Sequence, residues 1–338
     1  MFSETNYNEL EEKGYTVVND VLTTEECNQA IEDFKRWLQY FDGKFPNTYN
    51  SIIKNHNSGH FEVTWRLRLK AKPVFAQLWK TDKLLTSFDA ISIGRPPEDG
   101  AEEFQDVNKY WLHADTTPSK LGLHAYQGAL YLEEQTESDW TFQVMEGSHK
   151  HLVDLFSNHL NAAKEAKECG CHVDMTKDDV DFFTERGCKV KRVPVQKGGM
   201  VLWDSRLIHA NARPLKNRKH GGRWRYVTFI SMTPAIWANE EDLKIHKEAY
   251  QKPTLTTHWS SQGVRLLESQ RSPGIPYPDT VPDIARTDEA MKLSGVLPYD
   301  FNDGQPNGDE FIPIWKPYDK VKIEPELDNE VKFANGHI

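Results

Sequence analysis

Short apolar segments separated by turn residues dominate the middle of the chain. Such segments, rich in Val, Ile, Phe, Tyr and Trp and bounded by Gly, Pro, Asn or Asp, predict β-strands. The predicted strands are 85–95, 126–133, 139–145, 190–195, 200–204 and 224–232. Because crossover helices do not alternate regularly with these strands, a parallel doubly wound sheet is disfavoured. The pattern predicts a mainly β fold with flanking helices, built on a double-sheet jelly roll.

Helical periodicity flanks and interrupts this strand-rich region. A capping-box pattern at Thr23 precedes a predicted amphipathic helix over residues 24–41, and Asn239 caps a predicted helix that extends to about Tyr250. Residues beyond Pro253 show little periodicity and are expected to wrap the core. We therefore expect a single domain over residues 1–338, whose predicted parts are an N-terminal helical flank (1–84), a jelly-roll core (85–235) with a helical insertion (154–185), and a C-terminal wrapping extension (236–338).

The segment from Phe61 to Lys72 alternates apolar and cationic residues. Trp65 and its apolar neighbours occupy every second position, while Arg66, Arg68 and Lys70 occupy positions between them. Side chains two residues apart leave the same face of a strand, so the pattern predicts a strand that carries three cations on one face. We expect this face, beside Trp65, to bind an acidic substrate. Ion pairs with nearby Asp and Glu residues are the alternative explanation.

Composition and charge exclude several classes of function. A formal net charge of -10 argues against a binder of nucleic-acid backbones, because nonspecific affinity for phosphate comes from clustered Lys and Arg. No apolar run approaches the length of a membrane span, and the N-terminus lacks the features of a secretory signal. We therefore expect a cytoplasmic, monomeric protein that has no membrane partner.

The cysteines indicate a reducing compartment. The chain has four of them, and their spacing makes a poor disulfide framework, so all four are predicted to be free thiols. Cys169-Gly170-Cys171-His172 contains metal-ligating residue types, but it lies in the predicted insertion without a second cysteine pair. The sequence alone therefore favours no metal there.

Candidate chemistry lies in two short segments. His113 and Asp115 are two residues apart in a predicted extended segment, so both side chains can turn toward one cation. His209, in Asp204-Ser205-Arg206-Leu207-Ile208-His209, offers a third ligand. Two imidazoles and one carboxylate on one face leave the opposite coordination positions open, as expected of a non-haem Fe(II) oxygenase. Since a His-x-Asp triplet is common by chance, a surface or hydrogen-bonded pair is the competing interpretation.

Several motifs follow one another in an ordered series, namely Trp79, Ser87-Phe88-Asp89, His113-x-Asp115, Gln127-Gly128, Gly147-Ser148-His149, Gly199, Asp204-Ser205-Arg206-x-x-His209 and a later arginine. This series resembles the phytanoyl-CoA dioxygenase family of Fe(II)/2-oxoglutarate oxygenases over roughly residues 10–260. The resemblance implies a double-stranded β-helix, with His113, Asp115 and His209 as iron ligands and catalytic centre. It also implies Fe(II) as cofactor and 2-oxoglutarate and O2 as co-substrates.

Members of that family use an arginine to pair with the far carboxylate of 2-oxoglutarate. A guanidinium suits this role because it offers two parallel donors. Arg225 is the first candidate, since it opens a predicted strand after the distal histidine, with Arg223 second and Arg213 third. The loop 214–222 is longer than the family pattern leads us to expect. Gln127 is expected to hydrogen-bond the co-substrate, or alternatively to pair as a buried amide.

The predicted function is an Fe(II)/2-oxoglutarate-dependent dioxygenase that oxidises a small, carboxylated metabolite of secondary metabolism. Hydroxylation, desaturation and oxidative cyclisation all remain open. Candidate substrate-binding residues are Arg66, Arg68, Trp65 and Trp111. The alternatives are an acyl-CoA hydroxylase, a cupin-like metal protein without 2-oxoglutarate chemistry and a non-catalytic jelly-roll binding protein.

Overall fold

Most β-strands of the described residues form two sheets that face each other, while β14 with β15 and β6 with β16 form two small two-stranded sheets. The computed structural model describes residues 2–101, 104, 111–310 and 312–315. The strands in these ranges are β1 Tyr15–Val18, β2 Ile52–Ile53, β3 Leu84–Thr86, β4 Ile91–Gly94, β5 His113–Ala114, β6 Lys120–Leu121, β7 Tyr126–Tyr131, β8 Thr141–Glu146, β9 Val173–Asp174, β10 Lys189–Val193, β11 Met200–Asp204, β12 His209–Ala212, β13 Arg225–Pro234, β14 Leu255–Thr256, β15 Leu266–Leu267 and β16 Ile314–Trp315.

The α-helices flank these sheets. In the described ranges they are α1 Glu4–Lys13, α2 Thr24–Leu38, α3 Glu62–Trp79, α4 Leu152–Asn158, α5 Leu160–Cys169, α6 Lys177–Glu185, α7 Glu240–Gln251 and α8 Asp288–Leu293. The predicted caps are present, because the side chains of Thr23 and Asn239 accept hydrogen bonds from the first turns of α2 and α7. None of the helices in the described ranges has the length and apolar character that a membrane crossing requires.

The sheet topology confirms the predicted jelly-roll core. The major sheet has seven strands in the order β1-β11-β7-β13-β4-β2, with β3 also paired to β13. The minor sheet has the order β10-β8-β12-β5-β9, and the pairings in both sheets are antiparallel. Tyr131 and Trp203 of the major sheet pack against Phe142 of the minor sheet in one apolar cluster. The inner faces of the two sheets therefore enclose a common interior.

Helices α2 and α3 cover the outer face of the major sheet. Phe34 of α2 and Phe75 of α3 share a buried cluster with Leu130, Leu202 and Ile230 of the central strands. This packing explains why the central strands are apolar on both faces rather than alternating.

The predicted strand over 61–72 is wrong, because these residues belong to α3 (Glu62–Trp79). Val63 and Leu67 face the major sheet, whereas Trp65 faces a second cluster with Phe88 and Tyr250. A helix buried on two sides places apolar residues at both helical and alternating spacing, and this produced the misleading pattern. Helix α3 also continues through Pro73.

Three other boundaries differ from the prediction. The N-terminal part over 1–84 is not purely helical, since β1 and β2 join the major sheet. The expected strand 85–95 is divided into β3 and β4, because residues between them leave the sheet. The insertion contains α4, α5 and α6, and also β9, which pairs with β5. Of the predicted C-terminal extension, residues 311 and 316–338 lie outside the described residues.

Segments of the C-terminal extension contact the body of the fold. The Trp37 indole donates to the carbonyl of Pro276 (3.1 Å), and the Lys83 ammonium pairs with Asp303 (2.6 Å).

All four cysteines are free thiols, as predicted.

Candidate active site

Two neighbouring strands of the minor sheet bring the two predicted histidine ligands together. His113 on β5 and His209 on β12 are direct partners across an antiparallel pair. Side chains of such a pair leave the same face, and the two imidazole centroids lie 4.3 Å apart. The Ser148 hydroxyl accepts a hydrogen bond from the Ile208 N–H (2.9 Å) and so fixes the entry of β12. The Gly147-Ser148-His149 turn thus has a structural role beside the site.

Asp115 completes the cluster of ligand atoms. One carboxylate oxygen lies 3.7 Å from His113 Nε2, and the other lies 3.3 Å from His209 Nε2. One nitrogen from each histidine and one oxygen from Asp115 all lie within 4.8 Å of one another. The histidine side chains are 7% and 6% exposed, whereas that of Asp115 is 21% exposed. The cluster therefore has a closed side at the imidazoles and a more open side at the carboxylate.

Backbone carbonyls fix the orientation of both imidazoles. His113 Nδ1 donates to the carbonyl of Trp111 (3.1 Å), and His209 Nδ1 donates to that of Leu207 (2.9 Å). A neutral imidazole that donates through Nδ1 keeps its Nε2 lone pair for a metal. Both Nε2 atoms face Asp115, so the three side chains present acceptor atoms to one point.

Two further side chains hold Asp115 in place. Gln127 on β7 donates through Nε2 to the Asp115 carboxylate (3.2 Å). His258 donates through Nε2 to the backbone carbonyl of Asp115 (3.1 Å). His258 was missed by the sequence reasoning, because it lies in the extension and shares no spacing with the ligand motifs. No local pattern in the sequence indicates this contact.

The electrostatics of the site favour ligands without protons. Burial is the main cause that lowers the pKa of His113 to about 3, and the nearby His209 adds to the effect. Burial alone would raise the pKa of Asp115, but His113 and His209 outweigh it and hold that pKa well below its usual value. At neutral pH the site therefore presents a neutral His113 and an ionised Asp115.

Arg225 reaches the same interior from the major sheet. The register pairs Val227 with Tyr131 and Ser231 with Gln127, so Arg225, two residues before Val227, shares their inward face. Its guanidinium is fully buried and lies 5.3 Å from the Tyr131 ring. Nη1 donates a long hydrogen bond to the Thr141 carbonyl (3.4 Å), while Nε and Nη2 have no partner among the described residues. Burial lowers the pKa of this guanidinium, as expected for a charge that lacks a counterion.

The other two candidate arginines are engaged elsewhere. Arg223 pairs with Asp139 (3.1 Å) and Glu134 (3.0 Å), and Arg213 donates to the Asn50 side chain (3.1 Å). Arg218, in the long loop 214–222, pairs with the fully buried Asp139 at 2.9 Å. This loop is therefore anchored by buried ion pairs rather than being a solvated basic segment.

Three of the four predicted substrate residues lie on α3. Arg66 pairs with Asp33 on the outer surface, which is the ion-pair alternative stated above. Arg68 is fully buried, with its guanidinium 4.6 Å from the Trp65 ring and one hydrogen bond to the Gly59 carbonyl (2.9 Å). A helix rotates successive residues by about 100°, so the three cations do not form one face and the predicted anion-binding wall is absent.

Trp111 is the predicted substrate residue that does lie beside the metal ligands. Its indole stacks on the His113 ring with centroids 4.0 Å apart and an interplanar angle of 20°. The indole N–H donates to Asp174 (3.0 Å), and the exposed Tyr49 packs edge-on against the indole at 4.8 Å. Aromatic side chains therefore flank one side of the cluster.

Comparisons with known proteins identify the family and the fold of the chain. The family model described as Phytanoyl-CoA dioxygenase (PhyH) matches residues 10–214. This range contains the three candidate ligands and ends before Arg225. Among characterised proteins, the chain is similar to "Ava biosynthesis cluster protein O" of Aspergillus versicolor, with 25% identity over 283 residues that cover 77% of this chain and 88% of that protein.

Solved structures also resemble the chain. GlcNAc Inducible Gene 2, GIG2 (DUF1479), from Candida albicans superposes with a TM-score of 0.62 and 12% identity, covering 91% of this chain and 79% of that one. This likeness is one of fold. HygX from Streptomyces hygroscopicus, solved with nickel and 2-oxoglutarate bound, matches with a TM-score of 0.47 and 17% identity over 69% of this chain and 88% of that one.

Proposed function

The chain belongs to the phytanoyl-CoA dioxygenase family of Fe(II)/2-oxoglutarate-dependent oxygenases, and from this premise we propose that it oxidises a small metabolite at an iron held by His113, Asp115 and His209. The predicted family and enzyme class are confirmed by the match over residues 10–214. The observation that carries the proposal is one set of three metal-ligand atoms within 4.8 Å of one another, together with a buried arginine, Arg225, whose Nε and Nη2 have no hydrogen-bond partner among the described residues.

The three side chains suit Fe(II). Two imidazole nitrogens and one carboxylate oxygen form the donor set of a 2-His-1-carboxylate centre, which leaves positions open for other ligands. The carbonyls of Trp111 and Leu207 orient the imidazoles, and Gln127 and His258 hold Asp115. These contacts fix the orientation of the three ligands, as such a centre requires.

Arg225 suits the far carboxylate of 2-oxoglutarate. Its unpaired Nε and Nη2 donors lie in the sheet interior that also contains the ligand cluster. A carboxylate is the natural partner for two donors of a guanidinium, and burial strengthens the pair. When bound, iron, 2-oxoglutarate and O2 supply a two-electron oxidation of the substrate, with 2-oxoglutarate converted to succinate and CO2.

The protein's own part is to position the reactants and to exclude water. The His209 ring lies 5.2 Å from the Trp203 ring and 5.6 Å from the Phe142 ring, so aromatic groups enclose the imidazole. Trp111 covers the His113 ring in the same way. These rings shield the ligands from water, and the more exposed Asp115 marks the side at which a substrate would enter.

A small, carboxylated substrate remains our proposal, although Arg66 and Arg68 no longer support it. Two other cations are considered instead. Burial raises the pKa of Asp89 to about 6, the nearby charge of Asp115 adds to this rise, and the charge of the exposed Lys54 opposes it. Arg213 contacts Asn50, next to the Tyr49 ring that packs on Trp111. Hydroxylation, desaturation and oxidative cyclisation are all compatible with this arrangement.

Two measurements test the proposal. Anaerobic titration is expected to show about one Fe(II) per chain in the wild type and none in His209→Ala. A screen of carboxylated metabolites is then scored by substrate-stimulated conversion of 2-oxoglutarate to succinate, with Lys54→Ala expected to raise the KM for the active compound. Stimulation by acyl-CoA thioesters alone would instead support the acyl-CoA hydroxylase alternative. Iron binding without any 2-oxoglutarate turnover would support the cupin-like one.

A further inference from the structure

A second group of metal-ligating side chains lies at the end of α5. The Cys169 and Cys171 Sγ atoms are 2.7 Å apart, and His172 Nδ1 lies 3.0 Å from the first and 3.4 Å from the second. All three side chains are partly exposed, so a solvated ion can reach them. Among the described residues, this group and the His113 cluster are the two sets of three such ligands that converge on one point.

The local backbone makes this convergence possible. Gly170 ends α5 in the left-handed conformation (φ 70°), and its N–H donates to the Ala166 carbonyl. This turn places the thiols of Cys169 and Cys171 on the same side of the chain, because glycine adopts positive φ without steric cost. The Arg265 guanidinium donates to the Cys169 carbonyl (2.8 Å) and attaches the turn to the C-terminal extension. These two hydrogen bonds therefore attach the loop to α5 and to the C-terminal extension.

We propose that Cys169, Cys171 and His172 form a separate site for a thiophilic divalent cation of the Zn²⁺ type. Two thiolates and one imidazole are preferred ligands of Zn²⁺, and a fourth position remains for water or another donor. Fe(II) oxygenase chemistry uses imidazole and carboxylate instead, so the two sites differ in ligand softness and select different metals.

The position of this site next to β9 indicates how a bound cation would affect the iron ligands. His172 directly precedes β9, and β9 pairs with β5 so that Asp174 lies opposite His113. Asp174 also accepts the indole N–H of Trp111. A cation bound at residues 169–172 would join the end of α5 to the start of β9, and so would hold in place the strand that borders the iron ligands.

Cadmium binding tests the proposal directly. Cd²⁺ is a thiophilic probe, and its bond to thiolate produces a charge-transfer absorption in the ultraviolet that carboxylate or imidazole ligation does not. The full chain is titrated with Cd²⁺ in a non-thiol reductant. We expect one equivalent with this absorption in the wild type and also in His209→Ala, which has lost the other site. This variant makes the result independent of the iron proposal.

Matched variants locate the ligands. Cys171→Ser and His172→Ala are expected to weaken Cd²⁺ binding at least tenfold, and Cys171→Ser is expected to lose most of the thiolate absorption. Cys188→Ser removes a buried thiol that is not part of the ligand group, and it is expected to bind as the wild type does. A second readout is hydrogen exchange, in which Cd²⁺ should slow exchange of the β9 amides in the wild type and in Cys188→Ser, but not in Cys171→Ser or His172→Ala.

Three outcomes would overturn the proposal. The wild type could show no thiolate absorption with Cd²⁺, Cys171→Ser could bind with unchanged affinity and absorption, or the two cysteines could exist as a disulfide whose reduced form still takes up no cadmium. If Cys171→Ser failed to fold, the same question is answered in the wild type, because a bound cation should protect two thiols from alkylation until a chelator is added.

Discussion

Replacement of Arg225 by methionine separates a co-substrate anchor from a structural arginine. The guanidinium is fully buried, its one recorded hydrogen bond is long (3.4 Å), and two of its donor atoms are unpaired among the described residues. Methionine has a similar reach and no charge, so Arg225→Met removes the donors while it keeps most of the packing against Tyr131.

The expected loss of 2-oxoglutarate affinity follows from the burial of the pair. Removal of one partner from a buried, hydrogen-bonded charge pair costs about 2–5 kcal/mol. Since about 1.4 kcal/mol corresponds to a factor of ten, 2-oxoglutarate should bind from about 30-fold to a few thousand-fold more weakly. Arg225→Lys should fall between the two proteins, because an ammonium keeps the charge but loses the planar pair of donors.

The same substitution should have the opposite effect on the stability of the protein without co-substrate. An unpaired buried charge is costly, and its replacement by an apolar side chain is often neutral or stabilising by about 1–4 kcal/mol. The melting temperature of Arg225→Met should therefore stay unchanged or rise. A structural arginine would show a fall instead.

The assay is an anaerobic titration of the Fe(II)-loaded protein with 2-oxoglutarate, followed by its visible charge-transfer absorption, beside thermal unfolding of the metal-free protein. Arg223→Met is the matched control, because that arginine is paired with Asp139 and Glu134. It should lower stability and leave 2-oxoglutarate affinity within about threefold of the wild type. Unchanged affinity in Arg225→Met, or a large loss in Arg223→Met, would refute the reasoning.

Four further predictions address other parts of the molecule. Asp115→Ala should abolish Fe(II) binding in equilibrium dialysis, because it removes the only carboxylate of the cluster. Burial lowers the pKa of His246 to about 4, below the value of about 6.5 in an unfolded chain. The neutral imidazole should therefore contribute about 3 kcal/mol to the free energy of unfolding above about pH 6.5, and this contribution should disappear as the pH falls toward 4. Denaturant unfolding of His246→Gln should show a correspondingly flatter pH dependence. Arg218→Ala should cost about 3–5 kcal/mol in the free energy of unfolding, since it leaves the buried Asp139 short of a partner. Arg66→Ala should change that free energy by less than about 1 kcal/mol and leave turnover unchanged, because its pair with Asp33 is partly exposed.

The ligand cluster was predictable because, in a strand, the spacing of residues along the sequence determines which side chains lie on the same face. Two residues that are two positions apart on an extended segment share a face, so His113 and Asp115 were recognisable as a pair. His209 was offered as the third ligand from its own segment and again by the family resemblance, and the structure shows the physical reason, which is direct pairing of β5 with β12. His258 was not predictable, because its contact with Asp115 depends on the path of a long extension rather than on any local pattern.

Helix α3 shows where periodicity fails. Its residues contact the major sheet on one side and the Phe88 cluster on the other, so apolar side chains occur at strand-like intervals. In a strand with this spacing, the cationic residues between the apolar ones would lie on one face, and the sequence was interpreted in that way. In the helix they diverge, with Arg66 at the surface and Arg68 in the interior. The pattern alone contained no information that separates a helix buried on two sides from an alternating strand.

The long loop before β13 and the buried carboxylate of Asp139 explain each other. Asp139 is fully buried, accepts hydrogen bonds from both Arg218 and Arg223, and also accepts the N–H of Thr136. A buried carboxylate is tolerated only when its charge is paired, and the cations of the loop supply that pairing. The basic stretch 216–225 is thus divided by function. Arg218 and Arg223 neutralise an internal acid, whereas Arg225 enters the interior with two donor atoms that have no partner among the described residues, which is the arrangement that the proposed 2-oxoglutarate anchor requires.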